Sequence, residues 1–266
     1  MIRALLAGQL TWNIPLLFLF VSLTITILYI FYLRRYGTTS RRRPLLYLTG
    51  IWLLYLVIGS PLLALSHLSF SFHMIQMSFV FFIIPPLVLL GIPREIYENL
   101  IKRSFIIKIR LMSPTPKTAL VIFAILFFLY HLPFLLQIIT EYPLVQKAYL
   151  ILLFMLTVRM WWPIASPNPE QRVRASERKK YLLESSWYIM PACLMFIISA
   201  LFDGMNNPFL SEAATTLCLP ADTTIDILPP PFNTKYDQVI AGVSMLGLHK
   251  FSLFATNRLE DRMREF

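Results

Sequence analysis

Apolar runs about as long as a bilayer is thick recur along this chain, and no other feature constrains its fold as strongly. A helix needs about 20 apolar residues to cross a hydrocarbon core of about 30 Å. Seven segments meet that length: residues 11–33, 45–66, 73–92, 118–138, 144–165, 181–202 and 237–256. Backbone groups cannot stay unpaired in lipid, so each run is expected to be helical. The first is too long in its core, and too poorly charged before it, for a signal peptide. The predicted fold is all-α: a single transmembrane domain over 1–266, a polytopic bundle of about seven transmembrane helices. Only 14% of the 266 residues are charged against 57% hydrophobic, too little polar surface for a water-facing globule.

Charge sets the direction. With the N-terminus outside, Arg34, Arg35 and Arg41 to Arg43 fall on the cytoplasmic side, as do Arg94, Lys102, Arg103, Lys108, Arg110 and Lys117. Arg172, Arg174, Arg178, Lys179 and Lys180 follow helix five, and Arg258, Arg262 and Arg264 follow helix seven. Most of the 24 basic residues are then inside, as the positive-inside rule requires, and the C-terminus is cytoplasmic. The same rule accounts for the net charge of +10 without nucleic acid. The expected location is a bacterial plasma membrane, crossed several times, with the lipid bilayer as the main partner. Residues 94–117 mix apolar and basic side chains, which suits a cytoplasmic interfacial segment. Residues 203–236 form a long external loop that Pro208, Pro220 and Pro229-Pro230-Pro231 keep from being one helix.

The chemistry available is sparse. A nucleotide-binding Gly-rich loop, a nucleophile elbow and paired intramembrane carboxylates are all missing, so no enzyme is expected. Cys193, in an apolar run, and Cys218, in a polar loop, do not make a disulfide framework. What remains is a set of imidazoles and thioethers. His73 begins helix three at the outer surface, and Met77 lies one turn below it on the same face, about 6 Å deeper. Met74 points some 100° away and is a weaker candidate. His131 on helix four is expected roughly 10 Å deep, and Met245 on helix seven near 12 Å. Imidazole with thioether suits copper, particularly Cu(I). The plain alternatives are an interhelical hydrogen bond for each histidine and gap-filling for each methionine. His67, at the end of helix two, reads as a solvated loop residue. His249 lies about 18 Å below the outer end and reads as a helix-packing group. Asp237-Gln238 is expected to cap helix seven, and Ala241-Gly242 to form a close-packing face.

Several motifs follow one another in order: His73-Met74-Ile75-Gln76-Met77, Pro85-Pro86-Leu87 with Leu90-Gly91-Ile92-Pro93, Tyr130-His131-Leu132-Pro133, Trp161-Trp162-Pro163 with Asn168-Pro169, and Asp237-Gln238-Val239-Ile240-Ala241-Gly242. From about residue 45 onward the chain resembles the bacterial cytochrome c oxidase assembly factor family CtaG. The resemblance implies a non-enzymatic role in maturing a copper-containing terminal oxidase, with His73 and His131 as functional positions. It implies transient copper, handed at the outer face to oxidase subunits or an external copper chaperone. The chain departs from the family pattern in having Met77 where a histidine is common. It also has Gln146 and Lys147, and no histidine, near the outer end of helix five. Two other classes remain open: a metal-free membrane scaffold for oxidase subunits, and a copper transporter using His249 and Lys250.

Overall fold

The computed structural model describes residues 12–33, 42–101, 113–202 and 230–264. Every regular element among them is helical. In chain order they are α1 (Ile14–Leu33), α2 (Arg42–Gly59), α3 (Leu62–Leu68), α4 (Phe70–Ser78), α5 (Ile84–Gly91), α6 (Arg94–Ile101), α7 (Pro116–Tyr130), α8 (Pro133–Glu141), α9 (Pro143–Ala165), α10 (Ala175–Leu201) and α11 (Lys235–Arg264). Residues 102–112 of the expected interfacial segment, and residues 203–229 of the expected external loop with Cys218, lie outside the described residues.

Four stretches are long and apolar enough to cross a membrane: Phe70–Gly91, Pro143–Ala165, Ser176–Leu201 and Lys235–Met263. The pair Arg42–Gly59 and Leu62–Leu68 makes a fifth if its 53° bend is counted within one span. Ile14–Ile30 and Pro116–Tyr130 are apolar but shorter. The chain is therefore a helical membrane protein, and two of the seven expected helices differ from their reading as single rods. Residues 45–66 break at Ser60-Pro61, where Pro61 serves as the N-cap of α3 and the Ser60 hydroxyl bonds the Leu56 carbonyl. Residues 118–138 break at His131-Leu132. Proline disfavours the helical region for its predecessor, and Leu132 before Pro133 has φ −68° and ψ 128°. A hydropathy window averages over such breaks, which is why each pair reads as one run.

The core is aromatic: Phe81, Phe82, Phe123, Phe127, Trp161 and Phe196 are almost wholly buried. Outside it, Phe134, Leu144, Leu201 and Phe202 are among the large apolar residues that face outward. Such a surface suits lipid and not water. Helix α1 joins the bundle through a satellite cluster in which Phe20 meets Ile51 and Tyr55.

Between α4 and α5 runs a π-helical turn, Phe79–Ile83. Its cause lies in Pro85-Pro86. Neither proline has an N–H, so the carbonyls four residues earlier, of Phe81 and Phe82, lose their helical donors. Other helices supply replacements. Thr157 Oγ1 (2.6 Å) and Trp161 Nε1 (3.0 Å) of α9 donate to the Phe81 carbonyl. The Ser252 hydroxyl of α11 donates to that of Phe82. Thus the double proline turns a backbone defect into two interhelical joints. Gly91 completes the α5 contact: a Cβ there would stand 2.4 Å from the Tyr47 backbone nitrogen, so α2 approaches closely only because the side chain is missing.

At the end of the bundle opposite His73, Glu260 is fully buried between Arg172 (3.0 Å) and Arg178 (2.8 Å), and Arg178 also pairs with Asp261 (2.8 Å). Helix α6 docks there through Tyr97, whose ring packs on Trp162 and whose hydroxyl donates to Gln171. Arg94 pairs with Glu98 and Glu170, and these hydrogen bonds raise its pKa above the usual arginine range.

Candidate functional site

His73 lies in the first turn of α4, where its N–H donates to the Ser69 carbonyl. The start of that helix is held by a carboxylate from far along the chain. Asp237, fully buried in the first turn of α11, accepts from the Ser69 hydroxyl (2.9 Å), Phe70 N–H (2.9 Å), Ser71 N–H (3.2 Å) and Asn233 N–H (3.1 Å). The expected cap on helix seven is thus chiefly a clamp on the helix that carries His73. Carboxylate oxygens suit unsatisfied N-terminal N–H groups in both hydrogen bonding and dipole sense. Below it, Ala241 is fully buried, and Gly242 brings α11 within reach of the Cys193 carbonyl, 2.6 Å from where a Cβ would sit.

His131 was expected within helix four. Instead it caps the C-terminus of α7, at the break that Pro133 imposes. Its Nδ1 lies 2.7 Å from the Phe127 carbonyl. A carbonyl only accepts, so Nδ1 carries the proton and Nε2 keeps its lone pair. Among the described residues that Nε2 is buried and has no hydrogen-bond partner. Backbone anchoring of one ring nitrogen while the other is presented is the arrangement metal-binding histidines use.

The two imidazoles come together. Their ring centres are 6.0 Å apart with planes at 63°, and both side chains are buried. A nitrogen bound at about 2.0 Å sets its ring centre about 3 Å from an ion, so two rings on one ion stand up to about 6 Å apart. Tyr130 wedges beside both, 6.5 Å from the His73 ring and 5.1 Å from that of His131. Met77 is buried and shares a cavity wall with His73. Met74 and Met245 are fully buried in the main apolar core. Among the described residues, no three His, Cys, Asp or Glu side chains cluster as a metal site.

That cavity, about 350 Å³, brings in residues beyond those singled out in the sequence. His67, Gln76, Tyr130 and Gln146 join His73 on its polar wall. Gln76 donates to the Val57 carbonyl, and Gln146 reaches the Tyr130 hydroxyl at 3.5 Å. His67 is half-buried on α3 and lines this space, so it is not the solvated loop residue expected. Gln76 was readable as the next residue on the His73 face, three positions on. His249 behaves as expected: its Nε2 meets Ser185 Oγ at 3.3 Å and its ring packs on Phe82.

Comparison with known proteins adds one match. A family model described as cytochrome c oxidase caa3 assembly factor (Caa3_CtaG) matches residues 27–256. No curated protein and no solved structure matches the chain.

Proposed function

The chain belongs to the caa3-type cytochrome c oxidase assembly factors, a family of assembly factors and not of catalytic enzymes, and from that premise we propose that it carries Cu(I) transiently for the oxidase. His73, Met77 and His131 are the ligands, and an oxidase subunit or external copper chaperone is the recipient. In this reading the chain crosses a bacterial plasma membrane seven times, N-terminus outside, with the imidazoles under the outer face. Arg42, Arg43, Arg94, Arg172 and Arg174 lie at the bundle end away from His73, which supports that orientation.

The observation that carries the proposal is the His131 ring. Its proton is committed to the Phe127 carbonyl and its other nitrogen is buried without a partner, with the His73 ring centre 6.0 Å away. Two imidazoles and a thioether are a soft, incomplete set, fitting Cu(I) and ready release. The test is competition of the nanodisc-embedded protein against a Cu(I) chelator. Wild type is expected to retain one ion that the His73→Ala/His131→Ala variant loses. Equal retention by the two ends the carrier reading.

A metal-free scaffold is the second reading, favoured by the absence of a three-ligand His, Cys, Asp or Glu cluster among the described residues. Oxidase subunits would then co-purify with the double-histidine variant as well as with wild type.

A further inference from the structure

We infer that the cavity beside His73 is a binding site for a neutral quinone-class amphiphile: a ring bearing carbonyl or hydroxyl oxygens, with an aliphatic tail. His73 and Met77, two of the proposed copper ligands, line this space and His131 does not, so the two sites adjoin and His131 separates them experimentally.

The cavity lies between α3 on one side and α9 on the other, over a floor of α4 and the π turn. It opens sideways, since Leu63 and Ile151, on opposite walls, are both exposed on the apolar surface. Its lining is graded. Polar His67, His73 and Gln146 stand towards the end of the bundle where α4 and α9 begin. Leu54, Val80, Leu150 and Phe154 follow towards the middle. From Gln146 to Phe154 is eight helical residues, about 12 Å. That length is within one leaflet of a core about 30 Å thick, so a spanning helix of a partner would overrun it at once. A single amphiphile with its head at the interface matches both length and gradient.

The chemistry of the head follows from the wall. Among the described residues no Lys, Arg, Asp or Glu lines the cavity, so none of them balances a phosphate. Histidine, glutamine and tyrosine offer neutral donors and acceptors. Tyr130, Phe81 and Phe154 add aromatic rings to the wall beside a flat head. Such apolar pockets with a few convergent polar groups are the usual form of small-ligand sites.

The experiment uses full-length protein in nanodiscs and an azido-quinone photoprobe, with decylubiquinone as competitor and peptide mapping as readout. Labelling is expected on the peptides around His73–Val80 and Gln146–Phe154. Excess decylubiquinone should abolish it, and Ile151→Trp, which fills the mouth from an exposed position, should do the same. Gln146→Leu should weaken competition by about tenfold, the weight of one hydrogen bond. His131→Ala should leave labelling intact while removing Cu(I), and Ile151→Trp should do the reverse, so the two proposals fail separately. Label that decylubiquinone does not displace, or a phospholipid photoprobe marking the same peptides with equal strength, overturns the assignment.

Discussion

Replacing Asp237 with asparagine probes how the imidazole-bearing helix is held. One carboxylate oxygen accepts from the Ser69 hydroxyl and Ser71 N–H, the other from Phe70 N–H and Asn233 N–H. All four partners donate. An asparagine keeps one oxygen, and in its better orientation the NH₂ faces the Ser69 hydroxyl, which can turn to accept, and the Ser71 N–H, which cannot. One hydrogen bond to a charged acceptor is lost, at about 1.5–3 kcal/mol, and the two left on the oxygen weaken by about 1 kcal/mol each without the charge, or about 3–5 kcal/mol together. With about 2–4 °C per kcal/mol for a domain of this size, Asp237→Asn should melt at least about 6 °C below wild type. Ser69→Ala, which removes one donor to the carboxylate together with the long hydroxyl cap on Phe72 N–H (3.5 Å), should lose less. Thermal melting of both variants in nanodiscs, followed by a thiol-reactive dye or intrinsic fluorescence, provides the measurement. An asparagine variant melting within about 1 °C of wild type would show that the clamp contributes nothing and that α4 is held by packing alone.

Three further outcomes are expected. Gly91→Ala should cost about 1–3 kcal/mol, because its Cβ meets the Tyr47 backbone. Gly247→Ala, with open space around it, should raise the melting temperature slightly, and a shift of the same sign for both would contradict the packing argument. Glu260→Gln should cost up to about 3–5 kcal/mol, since it removes the buried carboxylate charge that Arg172 and Arg178 share, with Arg178 keeping Asp261, and unchanged melting would remove the ion cluster from the account. In a double-mutant cycle, Thr157→Val and Trp161→Phe should each be mild. Their combination should exceed the sum by about 1 kcal/mol, because it leaves the Phe81 carbonyl unpaired; simple additivity refutes a shared acceptor.

The apolar runs announced a helical membrane protein, because in lipid a continuous run and a helix are nearly the same statement. Their interruptions were also written in the sequence, at Pro61, Pro133 and Pro85-Pro86, but averaging hydrophobicity hides them. Proline acts through one missing N–H and one clash, which no window of side-chain polarity registers. The His73 and His131 rings were expected in one region of the bundle, and they are neighbours. The break that holds His131 and the cavity that takes in His67 were not foreseen. Asp237 shows the limit most clearly. Its type and position suggested a helix cap, yet two of the three backbone N–H groups it satisfies are more than 160 residues away in the chain, and only folding reveals that pairing.

The carbonyls released by Pro85-Pro86 have a mechanical consequence. Because Phe81 and Phe82 are tied to α9 and α11, sliding or rotating the helix that carries His73 would break three interhelical hydrogen bonds. The chain turns beside this column at two places, the 53° elbow between α2 and α3 and the corner at His131. The bundle is thus pinned at its centre, and one of the two imidazoles sits where the chain turns beside that pin.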